Sequence, residues 1–227
     1  MNEVFASPFF GITLSIFAYE IGVLIARKTK LAIANPLLIA IIICIAVIEL
    51  AHIPLESYNA GGDLIAVFLG PATAVIAISI YNQLSRLKKY FIPILMGTLV
   101  GSIASVGSAY FLCKLFGLDD ILTKSMVVKS VSTPFALAIS KNIGGIPAVS
   151  VAAVVITGIL GAVCAPMLIK IFRVKNPIAA GVAIGTCSHA VGTSKAIMIG
   201  EVEGAMSGIA LGLAGLLTVA ITLVLKF

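Results

Sequence analysis

IPAVSVAAVVITGILGAVCAPMLIK, residues 146–170, carries its only charge at the last position. At 1.5 Å of rise per residue a helix of this length covers roughly 37 Å, more than the ~30 Å hydrocarbon core of a bilayer. Further apolar segments run over 8–26, 34–50, 62–81, 91–113, 177–199 and 204–225, with a more polar one at 124–141. The chain has 227 residues, 60% hydrophobic and 11% charged, and its mean hydropathy is +1.19. Soluble domains carry about 25% charged residues, which excludes a water-soluble fold. The short alternating strands of a membrane β-barrel are absent too. The expected fold is all-α: one polytopic helical domain over 1–227, with about 7–8 transmembrane segments in a lipid bilayer. MNEVFASPFFG has no Lys or Arg before its apolar run, so the first segment reads as a retained helix and not a cleaved signal peptide.

Basic residues gather at the ends of the apolar runs: Arg27, Lys28 and Lys30; Arg86, Lys88 and Lys89; Lys170, Arg173 and Lys175. In that position they orient helices, so the net charge of +6 is no sign of nucleic-acid binding. The positive-inside rule puts these clusters in the cytoplasm and the acidic loops around Glu49 to Asp63, Asp119-Asp120 and Glu201 to Glu203 outside. The N-terminus is then expected outside and the C-terminus inside. Parity requires 121–145 to cross an even number of times or not at all, and its short polar stretch KSVSTPFALAISKNIGG (129–145) reads as re-entrant.

Two sites read as helix breaks. Gly70-Pro71 falls inside an apolar run, where proline removes a helical hydrogen bond and glycine tolerates the bend. Thr133-Pro134 has the grammar of a helix start, with Thr as N-cap and Pro at the first helical position. A helix that starts inside a membrane exposes N–H donors, tolerated there only within protein or along a watery cavity. Weak echoes recur, Asn35-Pro36 against Asn176-Pro177 and PATAVIAIS (71–79) against PFALAIS (134–140), but they imply different repeat units. Small residues recur at four-residue spacing at Gly97, Gly101 and Ser105, at Gly181 and Gly185, and at Gly208 and Gly212. Such spacing lets membrane helices approach closely and is compatible with a homo-oligomer.

The most polar membrane stretch is GTCSHAVGTSK, residues 185–195. On a helix Thr186, His189 and Thr193 share a face flanked by Gly185 and Gly192. His189 is either a neutral histidine hydrogen-bonded across helices or a substrate and proton contact. Lys195 either snorkels to the interface or supplies positive charge. Ser188 beside His189 joins this lining; adjacency alone gives no catalytic triad. Lys129 with Ser132 and Thr133 forms a second polar group, and Thr73 beside Pro71 a third. Helix N-termini with Lys129 or Lys195 suit a small anion. Mid-segment acids that would hold Na⁺ are nearly absent, Glu20 being the exception. Cys44, Cys113, Cys164 and Cys187 read as buried packing residues without metal spacing. No acid pair, HExxH or P-loop is present, so neither an enzyme nor a cofactor is expected.

NPLLIA (35–40), KSVSTPFALAIS (129–140), NPIAAGVAIGTCSHAVGTSKA (176–196) and GEVEGAMSGIALGLAG (200–215) together resemble the LrgB/CidB family of bacterial membrane proteins, from Pro8 onward. The resemblance implies a bacterial inner-membrane protein with one of two activities, each with a small LrgA/CidA-type membrane partner. One is holin- or antiholin-like control of murein hydrolase export and autolysis. The other follows from similarity to a plastidial glycolate/glycerate transporter and to bacterial pyruvate facilitators: carriage of small monocarboxylates or hydroxy acids. The residues it carries over as site candidates are Pro71, Thr73, Thr133, Pro134, His189, Gly192 and Thr193. Seven or so crossings with broken helices suit a carrier better than a lysis pore.

Overall fold

The computed structural model describes residues 7–29, 35–68, 71, 81 and 84–225. These residues form nine helices and no strand, in two compact units, 1–75 and 76–227.

The first unit holds α1 (Pro8–Thr29), α2 (Pro36–Leu50) and α3 (Leu55–Ala66). Only α1 is long and apolar enough to span a membrane; α2 has 15 residues. α2 starts at Asn35, whose Oδ1 accepts from the N–H groups of Leu37 at 2.9 Å and Leu38 at 3.4 Å. Pro36 at the next position has no N–H to satisfy. α1 and α2 pack antiparallel through Ala18, Ala40 and Cys44, with Gly22 against the backbone of Pro36. The Ser15 hydroxyl shares a 2.9 Å hydrogen bond with that of Tyr58 on α3. Glu20 and Pro71 are exposed, while Gly70 and Thr73, the rest of the first expected break, lie outside the described residues.

In the second unit α4 (Leu84–Leu115), α7 (Pro147–Ile171) and α9 (Glu201–Leu225) are the long apolar helices. α4 bends at Tyr90 (φ −113°, ψ 20°), three residues before Pro93, where the proline ring disturbs the preceding turn. Side chains exposed on its flank, among them Ile92, Met96, Val100, Ile103 and Phe111, suit hydrocarbon. Between α4 and α7 lie α5 (Asp120–Met126) and α6 (Thr133–Ile143), at 7 and 11 residues too short to cross. They form a hairpin. The Ser125 hydroxyl accepts from the Ile146 N–H at 2.7 Å, and the Ser150 hydroxyl sits 2.9 Å from the Ser125 carbonyl and 2.8 Å from the Ser140 hydroxyl. Those contacts bring the end of α5, the end of α6 and the start of α7 together, so 127–132 and α6 run out and back from one place. The outgoing leg, the non-helical stretch 127–132, is held at Ser130, whose hydroxyl accepts from Ser105 of α4 at 2.7 Å. Ser105 lies about 15 Å of helix short of the end of α4, so the hairpin turns inside the helix layer, as the re-entrant reading expects. The helix start is displaced by one residue from expectation: Ser132 is the N-cap, Thr133 and Pro134 follow it, and the Ser132 side chain makes no capping bond.

α8 (Pro177–Ile199) departs from the sequence reading. Expected as a span, it is two half-helices joined at His189, whose φ of 41° and ψ of −138° break the helix. Ile184 and Ala196 pack together with Ala165, although twelve residues of straight helix would hold them about 18 Å apart. Gly185 of the first half and Thr193 of the second both reach Ser207 of α9. Gly181 lies against Glu203 and Met206, and Ile197 against Gly204. The first half therefore runs parallel to α9 and the second antiparallel to it. α8 is a second hairpin, opening toward the end of the unit that carries 170–177. α9 consequently leaves from that end, and Leu225 finishes beside Val106, Tyr110 and Asp120 at the other. The acidic Glu201 and Glu203 share an end with Arg173 and Lys175, where the sequence reading puts them on opposite sides. Leu225, the last described residue, correspondingly lies at the end opposite 170–177, whereas the sequence reading puts the C-terminus on the side of that cluster. A hairpin of two half-helices and a single span have the same length and composition, and only the backbone at one residue separates them.

Candidate functional site

The two hairpins enter the second unit from opposite ends, and their tips meet at one layer. Val154 of α7 joins them. Its side chain packs with Val127, Val128 and Val131 of the first tip, and its carbonyl is 2.8 Å from Nε2 of His189 at the second. A ring nitrogen facing a carbonyl at that distance must donate, which fixes the proton on Nε2. The layer lies roughly 10 to 17 Å into α7, counting from Val154 to Gly158.

Glycines make the layer possible. A Cβ on Gly158 would lie 2.7 Å from His189 Nε2, and one on Gly161 would meet the Ser188 hydroxyl. α7 thus receives both side chains against bare backbone. Gly192 fits against Ser188 and Ile184, so the returning half of the hairpin lies close on the first. His189, Ser188 and Thr193 are all buried. The Thr193 hydroxyl is 2.9 Å from both the His189 carbonyl and the Ser207 hydroxyl.

Lys129 lies in the first tip, half-buried, its ammonium donating to the Ser130 hydroxyl at 3.2 Å. It is within electrostatic reach of Cys113 on α4 and Cys187 on α8, and among the described residues no carboxylate pairs with it. Two helices begin at this layer: α6 at Thr133, and the second half of α8 just after His189. Each directs first-turn N–H groups and the positive end of its dipole inward. One ammonium and two helix N-termini make a layer suited to an anion.

The structure thus joins two of the three polar groups foreseen in the sequence. His189, Ser188, Gly192 and Thr193 approach Lys129 through Cys187, with Thr133 half-buried and Pro134 exposed at the start of α6. Lys195 is half-buried on the returning half of α8. Pro71 belongs to the first unit and Thr73 lies outside the described residues. Cys44 and Cys113 are buried as expected, but Cys164 is only partly so and Cys187 is exposed. Sequence reading missed Ser105, Ser130, Val154 and Ser207. Ser105 had a signal, lying one step beyond Gly97 and Gly101; the Val154 carbonyl had none. Among the described residues no three His, Cys, Asp or Glu side chains gather as a metal site.

Comparison with known proteins agrees with the sequence resemblance. Residues 15–227 match the LrgB-like family. "Antiholin-like protein LrgB" of Bacillus mycoides (strain KBAB4) is 41% identical over 216 residues, covering 95% of this chain and 94% of that protein. Proteins of the same name from Bacillus cereus (strain B4264) and Bacillus anthracis (strain CDC 684 / NRRL 3495) are also 41% identical over the same shares. No solved structure matches. With the family match spanning both units, the chain belongs to the LrgB-like family.

Proposed function

We propose that this chain carries small monocarboxylates or hydroxy acids, of the pyruvate, glycolate and glycerate class, across the bacterial inner membrane, together with a small LrgA/CidA-type membrane partner. The observation that carries the proposal is the meeting of two opposed hairpins at one layer, with Lys129 and two helix N-termini around it. Backbone irregularity at that depth is tolerated only inside protein or along a watery path. Discontinuous helices whose N-termini face an anionic substrate are a recurrent transporter device. The chemistry needed is binding and release, so no catalytic or cofactor role is assigned. With the basic ends of α4, α7 and α8 in the cytoplasm, the C-terminal end of α9 faces outward.

The relatives' name favours a second reading, an antiholin-like regulator that forms or modulates a pore during murein hydrolase export. Carriage of acids is compatible with an effect on autolysis, because altered acid flux changes the state of the envelope. Uptake of radiolabelled pyruvate and glycolate into proteoliposomes, with and without the small partner, separates the two. Saturable uptake, abolished in a folded His189→Ala protein, is the expected result. No uptake in any combination, alongside dye leakage, selects the pore.

A further inference from the structure

The second unit contains a groove of about 440 Å³ between α4 and the first half of α8. Tyr90, Asn176 and Ile178 line its mouth, Gly97 and Gly101 its middle, and Thr186 and Cys187 its inner end. Gly97 faces Val182 and Gly101 faces Thr186, so the two walls run parallel from the basic end of the unit to the hairpin tips. Gly97 leaves room on the α4 wall, whereas Gly101 admits the Thr186 side chain against the α4 backbone and closes the groove at its inner end.

Charge follows the same line. Lys88, Lys89, Arg173 and Lys175 are all exposed at the mouth, with Lys89 Nζ 5.3 Å from the centre of the Tyr90 ring. Glu201 and Glu203 are at the same end and offset part of this charge. At the inner end Cys187 is exposed and lies within reach of the Lys129 ammonium, itself tied through Ser130 to Ser105 one turn beyond Gly101. Elsewhere on α4 the buried Thr98 and Ser102 have hydroxyls without a hydrogen-bond partner among the described residues, and neither lines the groove.

We infer that this groove is the access path by which a small carboxylate reaches the hairpin tips from the basic end, drawn inward by Lys129. The inference rests on the carrier reading. Its apolar walls suit the carbon end of a short acid, while Thr186 at the inner end and Lys129 beyond it suit the carboxylate. Cys187 sits where the path ends and is a native reporter of it.

The test uses a full-length protein in proteoliposomes with Cys44, Cys113 and Cys164 replaced by Ser. The rate of Cys187 modification is measured with an anionic and a cationic methanethiosulfonate of equal size. The anionic reagent is expected to react at least about fivefold faster, an advantage lost in Lys129→Gln, and saturating pyruvate or glycolate is expected to slow it. Equal or reversed rates, or an unreactive Cys187 in a protein still competent for uptake, overturn the path and leave the carrier reading standing. An anionic preference without protection by either acid retains the path and removes the carrier reading's substrate class. For Lys129→Gln, unchanged modification of an introduced Ser194→Cys, on the exposed returning half of α8, reports intact folding.

Discussion

His189 holds a backbone conformation that side-chain-bearing residues rarely adopt, and it does so inside a membrane protein. Such strain costs of order 1–3 kcal/mol and persists only where the surroundings impose it. Here Gly158 admits the ring, the Val154 carbonyl accepts its proton, and Thr193 caps the His189 carbonyl from below. His189→Gly and His189→Ala both lose the ring and its bond, but only glycine accepts the φ of 41° freely. The Gly protein is expected to be the more stable by about 1 kcal/mol, read as thermal unfolding in detergent, with uptake lost in both. An Ala protein as stable as the Gly protein would show that the break is not held at His189. The neighbouring Thr193–Ser207 pair is a second residue-scale case. Hydroxyl pairs between membrane helices average about 0.6 kcal/mol in double-mutant cycles. A cycle of Thr193→Val and Ser207→Ala should return a coupling of that size, and a zero coupling would mean the two hydroxyls do not meet.

At the scale of elements, the start signals were legible and the folding-back of α8 was not. Asn35 and Asn176 cap α2 and α8 in the same way, each Oδ1 accepting two N–H groups at 2.9 and 3.4 Å, and the Asn-Pro echo announced both. The first hairpin was legible because KSVSTP is polar and contains proline. The second hides in a segment as apolar as a span, whose turning residue is a histidine, a residue without intrinsic preference for a bend. Its packing on α9 near the tip depends on Gly185, where a Cβ would lie 2.8 Å from the Ser207 carbonyl carbon and closer still to its oxygen, an obstacle that cannot rotate away. Gly185→Ala should therefore destabilise the second unit by about 1–3 kcal/mol, whereas Gly212→Ala, with open space around it, should change stability by no more than about half a kcal/mol. Comparable losses from both would contradict the packing of α8 on α9. The first hairpin has a corresponding anchor in Ser150. Ser150→Ala removes the donor between Ser125 and Ser140 in a fully buried cluster, with an expected loss of about 1–3 kcal/mol in the same unfolding experiment.

For the whole molecule the consequence is one of sides. Two hairpins that enter and leave by the same end contribute no crossings, so among the described residues of the second unit α4, α7 and α9 are the helices long enough to traverse the layer. Charge patterning along the sequence expects the start of α4 and the end of α7 at one end, as the structure has them, because Lys88-Lys89 and Lys170 flank long apolar helices. It failed at Glu201 because parity counts each apolar run as one crossing, and an even-numbered return inside a run is invisible to it. The α8 hairpin thus reverses the exit side of α9 relative to a seven-crossing chain. In a protein with the four native cysteines replaced by Ser, a cysteine at Lys175 and a cysteine in a tag after the C-terminus should react with a membrane-impermeant maleimide from opposite faces of right-side-out vesicles. Both reacting from one face would restore 177–199 as a span. That outcome would also separate the tips and dissolve the anion layer, since His189 would then sit on a straight helix with its ring no longer opposed to the turn at Lys129. Opposite faces keep both hairpins, with their tips meeting at the layer of His189 and Lys129.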